Sequence, residues 1–175
     1  MKGIILHGGH GTRLRPLTYA RPKQLLPIAN TPMSQYGLES LRNAGITDIA
    51  IIIGGSNSSK VRKYYGDGSE FNVNITYVEQ DEPKGISHAI GLCKDFVNDE
   101  KFVVFLGDNI LIKDITESVL KFKKSDDAAK ILLCEVSNPK QFGIADIEND
   151  GSIKKIMEKP KNPPTNLAVT GIYFL

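Results

Sequence analysis

Cysteine, histidine and tryptophan are scarce in this sequence of 175 residues, which has two cysteines, three histidines and no tryptophan. Cys93 and Cys134 lie in segments that resemble an apolar helix face and an apolar strand, so we expect two buried thiols rather than a disulfide. The histidines are His7, His10 and His88, and their spacing fits no standard zinc template. A zinc site is therefore the less favoured alternative to buried or loop histidines.

An excess of charge of either sign is also missing, because 22 Lys and Arg nearly balance 20 Asp and Glu. This balance predicts no nucleic-acid or membrane surface, although local basic residues could bind a small anionic substrate. No run approaches the ~18 apolar residues that a membrane span needs. The first residues contain no basic leader, apolar stretch or cleavage site of a secretory signal. We expect a cytoplasmic protein.

Apolar runs rich in Ile and Val alternate with helical patterns through most of the chain. This alternation predicts a three-layer α/β fold, in which helices cover a mostly parallel, mixed sheet. We expect one domain over residues 1–175. The predicted strands are 2–7, 48–53, 74–79, 101–106, 129–136, 144–147, 153–158 and 169–175, and the predicted helices are 34–44, 60–65, 87–96 and 115–124.

A glycine-rich loop follows the first predicted strand, at the position where an α/β sheet presents its strand ends to ligands. The loop reads Gly8-Gly9-His10-Gly11-Thr12-Arg13. Glycines let backbone N–H groups approach a phosphate closely, and Arg13 can hold phosphate oxygens through its forked donors. A triphosphate is the favoured ligand, and a tight turn without a ligand is the alternative. The dinucleotide fingerprint is excluded because Leu14 replaces its third glycine, and the P-loop is excluded because Gly-Lys-Ser/Thr is absent.

A longer and more specific motif follows this loop. It consists of Leu14-Arg15-Pro16-Leu17-Thr18, then Arg21-Pro22-Lys23-Gln24-Leu25-Leu26-Pro27-Ile28 and Thr31-Pro32-Met33. The motif resembles the signature of the sugar-1-phosphate nucleotidyltransferases, most of all the glucose-1-phosphate thymidylyl- and uridylyltransferases. Its prolines indicate a stiff, extended loop that holds Lys23 on a constrained backbone. A solvated surface lysine is the alternative.

The resemblance extends to Leu175 and implies the Rossmann-like nucleotide-diphospho-sugar transferase fold. The segment from Tyr77 to Ala89 is similar to the family's base-reading loop, in which Gln80 and the backbone at Gly85 would read the pyrimidine edge. A polar loop residue without this role is the alternative for Gln80. Together, the residues that the resemblance assigns to the nucleotide are Leu6, Gly8, Gly9, Gly11, Thr12, Arg13, Gln80, Pro83, Gly85 and Asp108.

Asp108 follows an apolar strand in the sequence Leu106-Gly107-Asp108-Asn109, so we expect its carboxylate at a strand end facing the cleft. In the family that the chain resembles, this aspartate binds Mg²⁺, a hard cation that takes oxygen ligands and shares phosphate oxygens. An aspartate that caps the next helix is the alternative.

Two further segments resemble the sugar-binding segments of the family, namely Phe142-Gly143-Ile144 and Met157-Glu158-Lys159-Pro160. Glu158 can accept hydrogen bonds from sugar hydroxyls, and Lys159 can offset the sugar phosphate. Adjacent strand residues face opposite ways, but Pro160 breaks the strand and lets both side chains reach the pocket. An exposed charge pair is the alternative. The residues assigned to the sugar phosphate are Gly107, Gly143, Glu158, Lys159, Thr170 and Gly171.

The resemblance implies an enzyme that transfers a nucleotidyl group from dTTP, or alternatively UTP, to a sugar-1-phosphate, with Glc-1-P as the first choice. Arg13, Lys23, Asp108 and Lys159 would be the catalytic residues. The sequence departs from the family in length, because it lacks the usual C-terminal part and a second metal-binding aspartate. We therefore expect weak turnover, and a non-catalytic nucleotide-binding module is the alternative. We also expect the strand 169–175 to be an exposed apolar edge that pairs with another chain as a homo-oligomer.

Overall fold

The computed structural model describes residues 1–7, 14–19, 21–55, 58–82 and 84–175. In the described part of the chain the strands are β1 (Lys2–Leu6), β2 (Pro27–Ile28), β3 (Thr31–Pro32), β4 (Asp48–Ile53), β5 (Asn74–Glu79), β6 (Phe102–Leu106), β7 (Lys130–Glu135), β8 (Gly143–Ile147), β9 (Ile153–Glu158) and β10 (Leu167–Phe174). The α-helices are α1 (Met33–Asn43), α2 (Ser58–Tyr65), α3 (Ile86–Gly91), α4 (Lys94–Val97) and α5 (Thr116–Lys124).

Eight strands form one mixed sheet with the order β5-β4-β1-β6-β10-β8-β9, and β7 pairs with β10. The four strands β5, β4, β1 and β6 are parallel to one another, and β10 is antiparallel to β6. The predicted fold class, a mostly parallel mixed sheet, is therefore confirmed. The strands β8 and β9 form an antiparallel hairpin, with Gly151 at φ +85° in its turn.

Apolar side chains cover both faces of the sheet and give the predicted three layers. One face packs against α1, α2 and α5, through buried residues such as Leu38, Val61 and Phe122. The other face packs against α3 and α4, through Ala89 and Val97. The central strands are buried on both sides, which explains why their sequences are continuous apolar runs.

The predicted helix 87–96 is wrong as a single element, because the structure has α3 and α4 in its place. Leu92, which the helical spacing assigned to the apolar face, lies in the interruption and is 41% exposed. The preceding Gly91 has the low helix propensity of glycine, which favours an end to α3 at this point.

The expectation of two buried cysteines is half right, because Cys93 is buried and Cys134 is exposed. Cys134 lies on β7, a strand whose described pairing is with β10. A strand with one paired edge leaves more of its surface to solvent, so an apolar sequence does not ensure that each of its side chains is buried.

The expectation of an exposed apolar edge at residues 169–175 is wrong. The strand β10 lies inside the sheet, with β7 along one side. On its other side it pairs with β6 at Ile172, Tyr173 and Phe174, and with β8 at Ala168. Both edges of β10 are therefore occupied, and the argument for a homo-oligomer through this strand is removed.

Candidate active site

The carboxyl ends of the four parallel strands lie at one edge of the sheet, which we call the strand-end edge. It carries His7 after β1, Gly54 after β4, Gln80 after β5, and Gly107 with Asp108 after β6. Leu6, a predicted nucleotide residue, is the last residue of β1 and is 7% exposed. This edge is where open α/β sheets bind ligands.

The side chains of Lys23 and Asp108 meet at the strand-end edge, although 85 positions separate them in the sequence. The Lys23 Nζ donates to the Asp108 Oδ2 at 2.5 Å. A short 3₁₀ helix, Lys23–Leu25, holds the lysine in place because its other two residues, Gln24 and Leu25, are buried. Both charged side chains are partly exposed, at 30% and 37%, so they remain accessible to a ligand.

Asp108 does not cap the following helix. The carboxylate next to that helix is Asp114, two residues before its first residue, whose Oδ1 accepts the Thr116 N–H at 2.7 Å. Asp108 instead follows β6 in a tight turn, in which the Asn109 N–H donates to the Leu106 carbonyl at 3.0 Å. The expectation that Asp108 stands at a strand end is therefore confirmed.

Gly107 lies where two strand ends approach too closely for a side chain. Its N–H donates to the Leu6 carbonyl at 3.0 Å. A Cβ at this position would lie 2.8 Å from the Leu6 carbonyl oxygen and 2.9 Å from the His7 ring. Only glycine allows this contact, which brings Asp108 to the end of β1.

His7 is a buried histidine at the end of β1 and is 8% exposed. Neither ring nitrogen has a hydrogen-bond partner among the described residues. Burial lowers the pKa of the His7 imidazole from its usual 6.5 to about 3. The ring is therefore neutral at pH 7. His10, the neighbouring histidine in the sequence, lies outside the described residues.

We predict that His7 makes the fold sensitive to acid. Between pH 6.5 and pH 3 the unfolded chain binds a proton at His7 that the folded chain does not bind. The free energy of unfolding should therefore fall with pH in this window, by about 2 kcal/mol between pH 7 and pH 5. Urea unfolding at both pH values would show this loss in the parent and not in His7→Leu. An equal loss in both proteins would contradict the prediction.

Gln80 is held at the end of β5, next to β4. Its N–H donates to the Ile53 carbonyl at 2.8 Å, and a Cβ at Gly54 would lie 2.5 Å from the Gln80 carbonyl oxygen. Its side-chain Nε2 lies 3.0 Å from the His88 Nδ1. Gly85 precedes α3 with φ +97°, and a Cβ there would meet no described atom within 4 Å. Among the described residues, the structure thus leaves open space beside Gly85.

Glu158 and Lys159 lie at the end of β9, and their charged groups face the same region. The Lys159 Nζ is 3.6 Å from the Glu158 Oε1. Lys159 has a left-handed backbone with φ +44°, and its N–H donates to the Phe142 carbonyl at 3.0 Å. This backbone, directly before Pro160, explains why two adjacent residues do not face opposite ways. Gly143 pairs with Glu158 across β8 and β9.

Thr170 and Gly171 form an irregularity in β10, where its register with β7 shifts. Gly171 has φ +81°, and a Cβ there would lie 2.5 Å from the Leu106 Cδ1. The Thr170 carbonyl accepts a hydrogen bond from the Asn109 Nδ2, and the Thr170 hydroxyl donates to the Leu132 carbonyl at 2.8 Å. Asn109, for which the sequence predicted no role, therefore links the Asp108 turn to β10.

Six of the predicted nucleotide residues cannot be placed, because they lie outside the described part of the chain. Most of the other predicted residues lie at or directly beyond a strand end of the same edge. Gly85 lies further on, directly before α3, Lys23 lies on the 3₁₀ helix, and Thr170 and Gly171 lie within β10. The six that lie outside the described residues are Gly8, Gly9, Gly11, Thr12, Arg13 and Pro83.

The mostly parallel sheet carries an amide, a carboxylate and two lysines near its strand ends. These features place the chain in the class of α/β proteins that bind ligands at this edge of the sheet. Comparison with known proteins then identifies the group within that class. The family model described as nucleotidyl transferase matches residues 2–175. The chain therefore belongs to the nucleotidyl transferase family.

Three similar proteins show how far the likeness extends. The low-salt glycan biosynthesis nucleotidyltransferase Agl11 of Haloferax volcanii is 49% identical, over 99% of this chain and 48% of its own length. A glucose-1-phosphate thymidylyltransferase of Streptomyces antibioticus is 43% identical, over 99% of this chain and 49% of its own length. A crystal structure from Bacillus anthracis, assigned to the glucose-1-phosphate thymidylyltransferases, is 46% identical and has a TM-score of 0.95. The match covers 99% of this chain and 70% of the crystallised chain.

The chain spans about half the length of the curated relatives it matches. In the part of the chain that the structure describes, no helix has both the length and the apolar character that crossing a membrane requires.

Proposed function

We propose that residues 1–175 form a nucleotidyltransferase core domain that transfers a nucleotidyl group from a pyrimidine nucleoside triphosphate to a sugar-1-phosphate. We propose dTTP and Glc-1-P as the substrates. The observation that carries this proposal is the contact between Lys23 and Asp108 at the strand-end edge. It brings an ammonium group for phosphate oxygens and a carboxylate for a metal ion to one place.

The residues of the edge divide into three parts that match the three parts of this reaction. Gln80 and Gly85, at the β5 side, would contact the base. Lys23 and Asp108, near the middle, would contact the triphosphate. Glu158 and Lys159, at the β9 side, would contact the sugar phosphate, with the carboxylate accepting from a hydroxyl and the ammonium offsetting the phosphate charge.

Asp108 fits a role in holding Mg²⁺. Its carboxylate offers oxygen ligands, and its side chain is 37% exposed. The Lys23 ammonium lies next to the Asp108 Oδ2, where a metal cation would bind. Among the described residues, no group of three or more His, Cys, Asp or Glu could hold a metal. Phosphate oxygens and water would supply further ligands, and the ion when bound would neutralise charge on the phosphates.

In the reaction, an oxygen of the sugar phosphate attacks the α-phosphorus of the triphosphate, and the bond to the bridging oxygen of the β-phosphate breaks. Pyrophosphate leaves with that bonding pair. The side chains of the edge contribute by placing the two anions in line and by offsetting their repulsion, which are the main sources of rate in such transfers. Arg13 would join Lys23 on the triphosphate.

The decisive experiment is an assay of pyrophosphate release from dTTP and from UTP, each with and without Glc-1-P. We expect release from dTTP only when the sugar phosphate and Mg²⁺ are both present. Release that is faster with UTP would support a uridylyltransferase. Binding of a triphosphate by calorimetry without release would support the non-catalytic binding module, and no binding at all would contradict both.

We predict that Lys159→Ala and Arg13→Ala fail on different substrates. Lys159→Ala should raise the KM for the sugar phosphate about tenfold, because one charge-assisted contact is lost. Arg13→Ala should chiefly raise the KM for the triphosphate. Lys155→Ala is a matched control, since Lys155 is exposed on β9, the strand that ends directly before Lys159. If Lys159→Ala changed only the KM for the triphosphate, the assignment of Lys159 to the sugar phosphate would be wrong.

A further inference from the structure

The 3₁₀ helix that carries Lys23 is tied to α1 through a buried serine. The hydroxyl of Ser34, in the first turn of α1, donates to the Gln24 carbonyl at 3.1 Å. A carbonyl oxygen can only accept, so the serine is the donor in this contact. Ser34 is fully buried and Gln24 is 2% exposed, so water does not compete for the bond.

The Ser34 hydroxyl is itself held from α2. Its oxygen lies 2.6 Å from the hydroxyl of Tyr65, which is 2% exposed. A serine hydroxyl has a single hydrogen, which the Gln24 carbonyl takes, so the Tyr65 hydroxyl donates to the Ser34 oxygen. Burial raises the pKa of the Tyr65 phenol, which therefore stays protonated and able to donate. Two helices thus support one backbone carbonyl of the 3₁₀ helix.

Gln24 lies between the backbone of Lys23 and the turn that carries Asp108. It directly follows Lys23 in the 3₁₀ helix. Its side chain lies beside Gly107, where an added Cβ would be 3.3 Å from the Gln24 Cγ, and Gly107 directly precedes Asp108. The position of Gln24 therefore affects how the Lys23 ammonium meets the Asp108 carboxylate at the strand-end edge.

Two other hydrogen bonds tie the same loop to α1 further along the chain. The Leu26 carbonyl accepts the Met33 N–H at 3.0 Å, and the Ile28 carbonyl accepts the Tyr36 hydroxyl at 2.7 Å. Loss of the Ser34 bond should therefore loosen the start of the loop and leave the rest attached.

We propose that Ser34 is a positioning residue that places the Lys23 ammonium at the triphosphate by holding the Gln24 carbonyl. This inference rests on the proposed function, in which Lys23 and Asp108 meet the phosphates. A buried carbonyl that loses its donor is unfavourable, so the 3₁₀ helix would shift toward another donor and carry Lys23 with it. Such a displacement costs rate more than affinity.

The main experiment compares Ser34→Ala with Tyr36→Phe, since each change removes a hydroxyl that donates to a carbonyl of the same loop. Ser34→Ala should lower the kcat of pyrophosphate release about tenfold, because a misplacement of ~1 Å can lower turnover by ~100-fold. Its KM for Glc-1-P should change by less than about twofold, because Lys23 is assigned to the other substrate. Tyr36→Phe should keep the parent kcat.

Hydrogen exchange measures the tether without any turnover. The Leu25 N–H donates to the Pro22 carbonyl at 3.0 Å, and the Leu26 N–H donates to the Lys23 carbonyl at 3.1 Å. Both amides should exchange about tenfold faster in Ser34→Ala, since one hydrogen bond that supports the 3₁₀ helix is lost. Exchange at the parent rate in Ser34→Ala would overturn the inference.

A double-mutant cycle with Lys23→Met separates the positioning of Lys23 from a general structural role. Its readout is dTTP binding by calorimetry, which does not require turnover. Ser34→Ala should weaken dTTP about threefold in the parent, because one charge-assisted contact is misplaced, and should have no further effect in Lys23→Met. An equal loss in both backgrounds would show that Ser34 does not act through Lys23.

Three further outcomes keep this test apart from that of the proposed function. A parent that binds dTTP but releases no pyrophosphate contradicts the proposed function, while exchange and calorimetry still test Ser34. A parent that binds neither dTTP nor UTP removes both. Circular dichroism checks that Ser34→Ala is folded. If it is not, Tyr65→Phe takes its place, because it keeps the ring and removes the donor to Ser34, with a smaller loss of kcat in the same direction.

Discussion

Replacing Asp108 with asparagine is expected to lower Mg²⁺-dependent pyrophosphate release by about 100-fold or more. Asparagine keeps the shape of the side chain but loses the charge that would hold the ion. A metal that is held less firmly no longer fixes the triphosphate in line with the attacking oxygen, and a misplacement of ~1 Å can lower turnover by ~100-fold. Binding of the triphosphate should weaken much less than turnover.

The same substitution should leave the fold nearly unchanged. The ion pair between Asp108 and Lys23 is partly exposed, at 37% and 30%, so solvent screening limits its contribution to about 1 kcal/mol or less. Asp126→Asn provides a matched control, since Asp126 is exposed in the segment between α5 and β7 and undergoes the same change of charge. Steady-state kinetics with varied Mg²⁺ would test the prediction, and turnover equal to that of the control at saturating Mg²⁺ would remove Asp108 from the metal site.

Gly171→Ala is expected to lower the free energy of unfolding by about 3 kcal/mol. Two effects add. The φ of +81° is unfavourable for any residue with a Cβ, and the added carbon would lie 2.5 Å from the Leu106 Cδ1 and 2.7 Å from the Asn109 Nδ2. The irregularity in β10 would have to move away from the end of β6.

Gly151→Ala separates these two effects. Gly151 has nearly the same φ, +85°, but a Cβ there would meet no described atom within 4 Å. We therefore expect Gly151→Ala to cost about 1 kcal/mol, from backbone strain alone. Urea unfolding of both variants would measure the difference. Equal losses would show that β10 relaxes around the added carbon without cost.

The layer architecture could be predicted from the sequence because the central strands are buried on both faces. Strands such as β4 and β6 must then be continuous apolar runs, and the residues that follow them must lie at the strand-end edge. Asp108 and Gln80 were predictable for this reason, since each comes directly after such a strand. The break between α3 and α4 was not, because the helical spacing of apolar residues continues through it.

The partners within the site could not be predicted from the sequence. The spacing of 85 residues between Lys23 and Asp108 carries no information about their contact, which depends on how the 3₁₀ helix packs against β6. In the same way, the left-handed backbone of Lys159 is set by tertiary structure, since a proline at the next position favours an extended backbone there. The 3.0 Å contact between Gln80 and His88 likewise joins a strand end to a helix, and the sequence does not predict it.

The sequence by itself determined the α/β class, the position of the candidate site at the strand ends, and the kinds of chemical group found there. These features follow from local composition and from periodicity. Both can be obtained from the sequence without knowing which distant segments lie side by side. Tertiary structure alone decided that β10 is an interior strand with both edges paired, that Cys134 is exposed, and that Lys23 meets Asp108. Each of these depends on which distant segments lie side by side, and an apolar strand has the same local sequence whether it lies inside a sheet or at its edge.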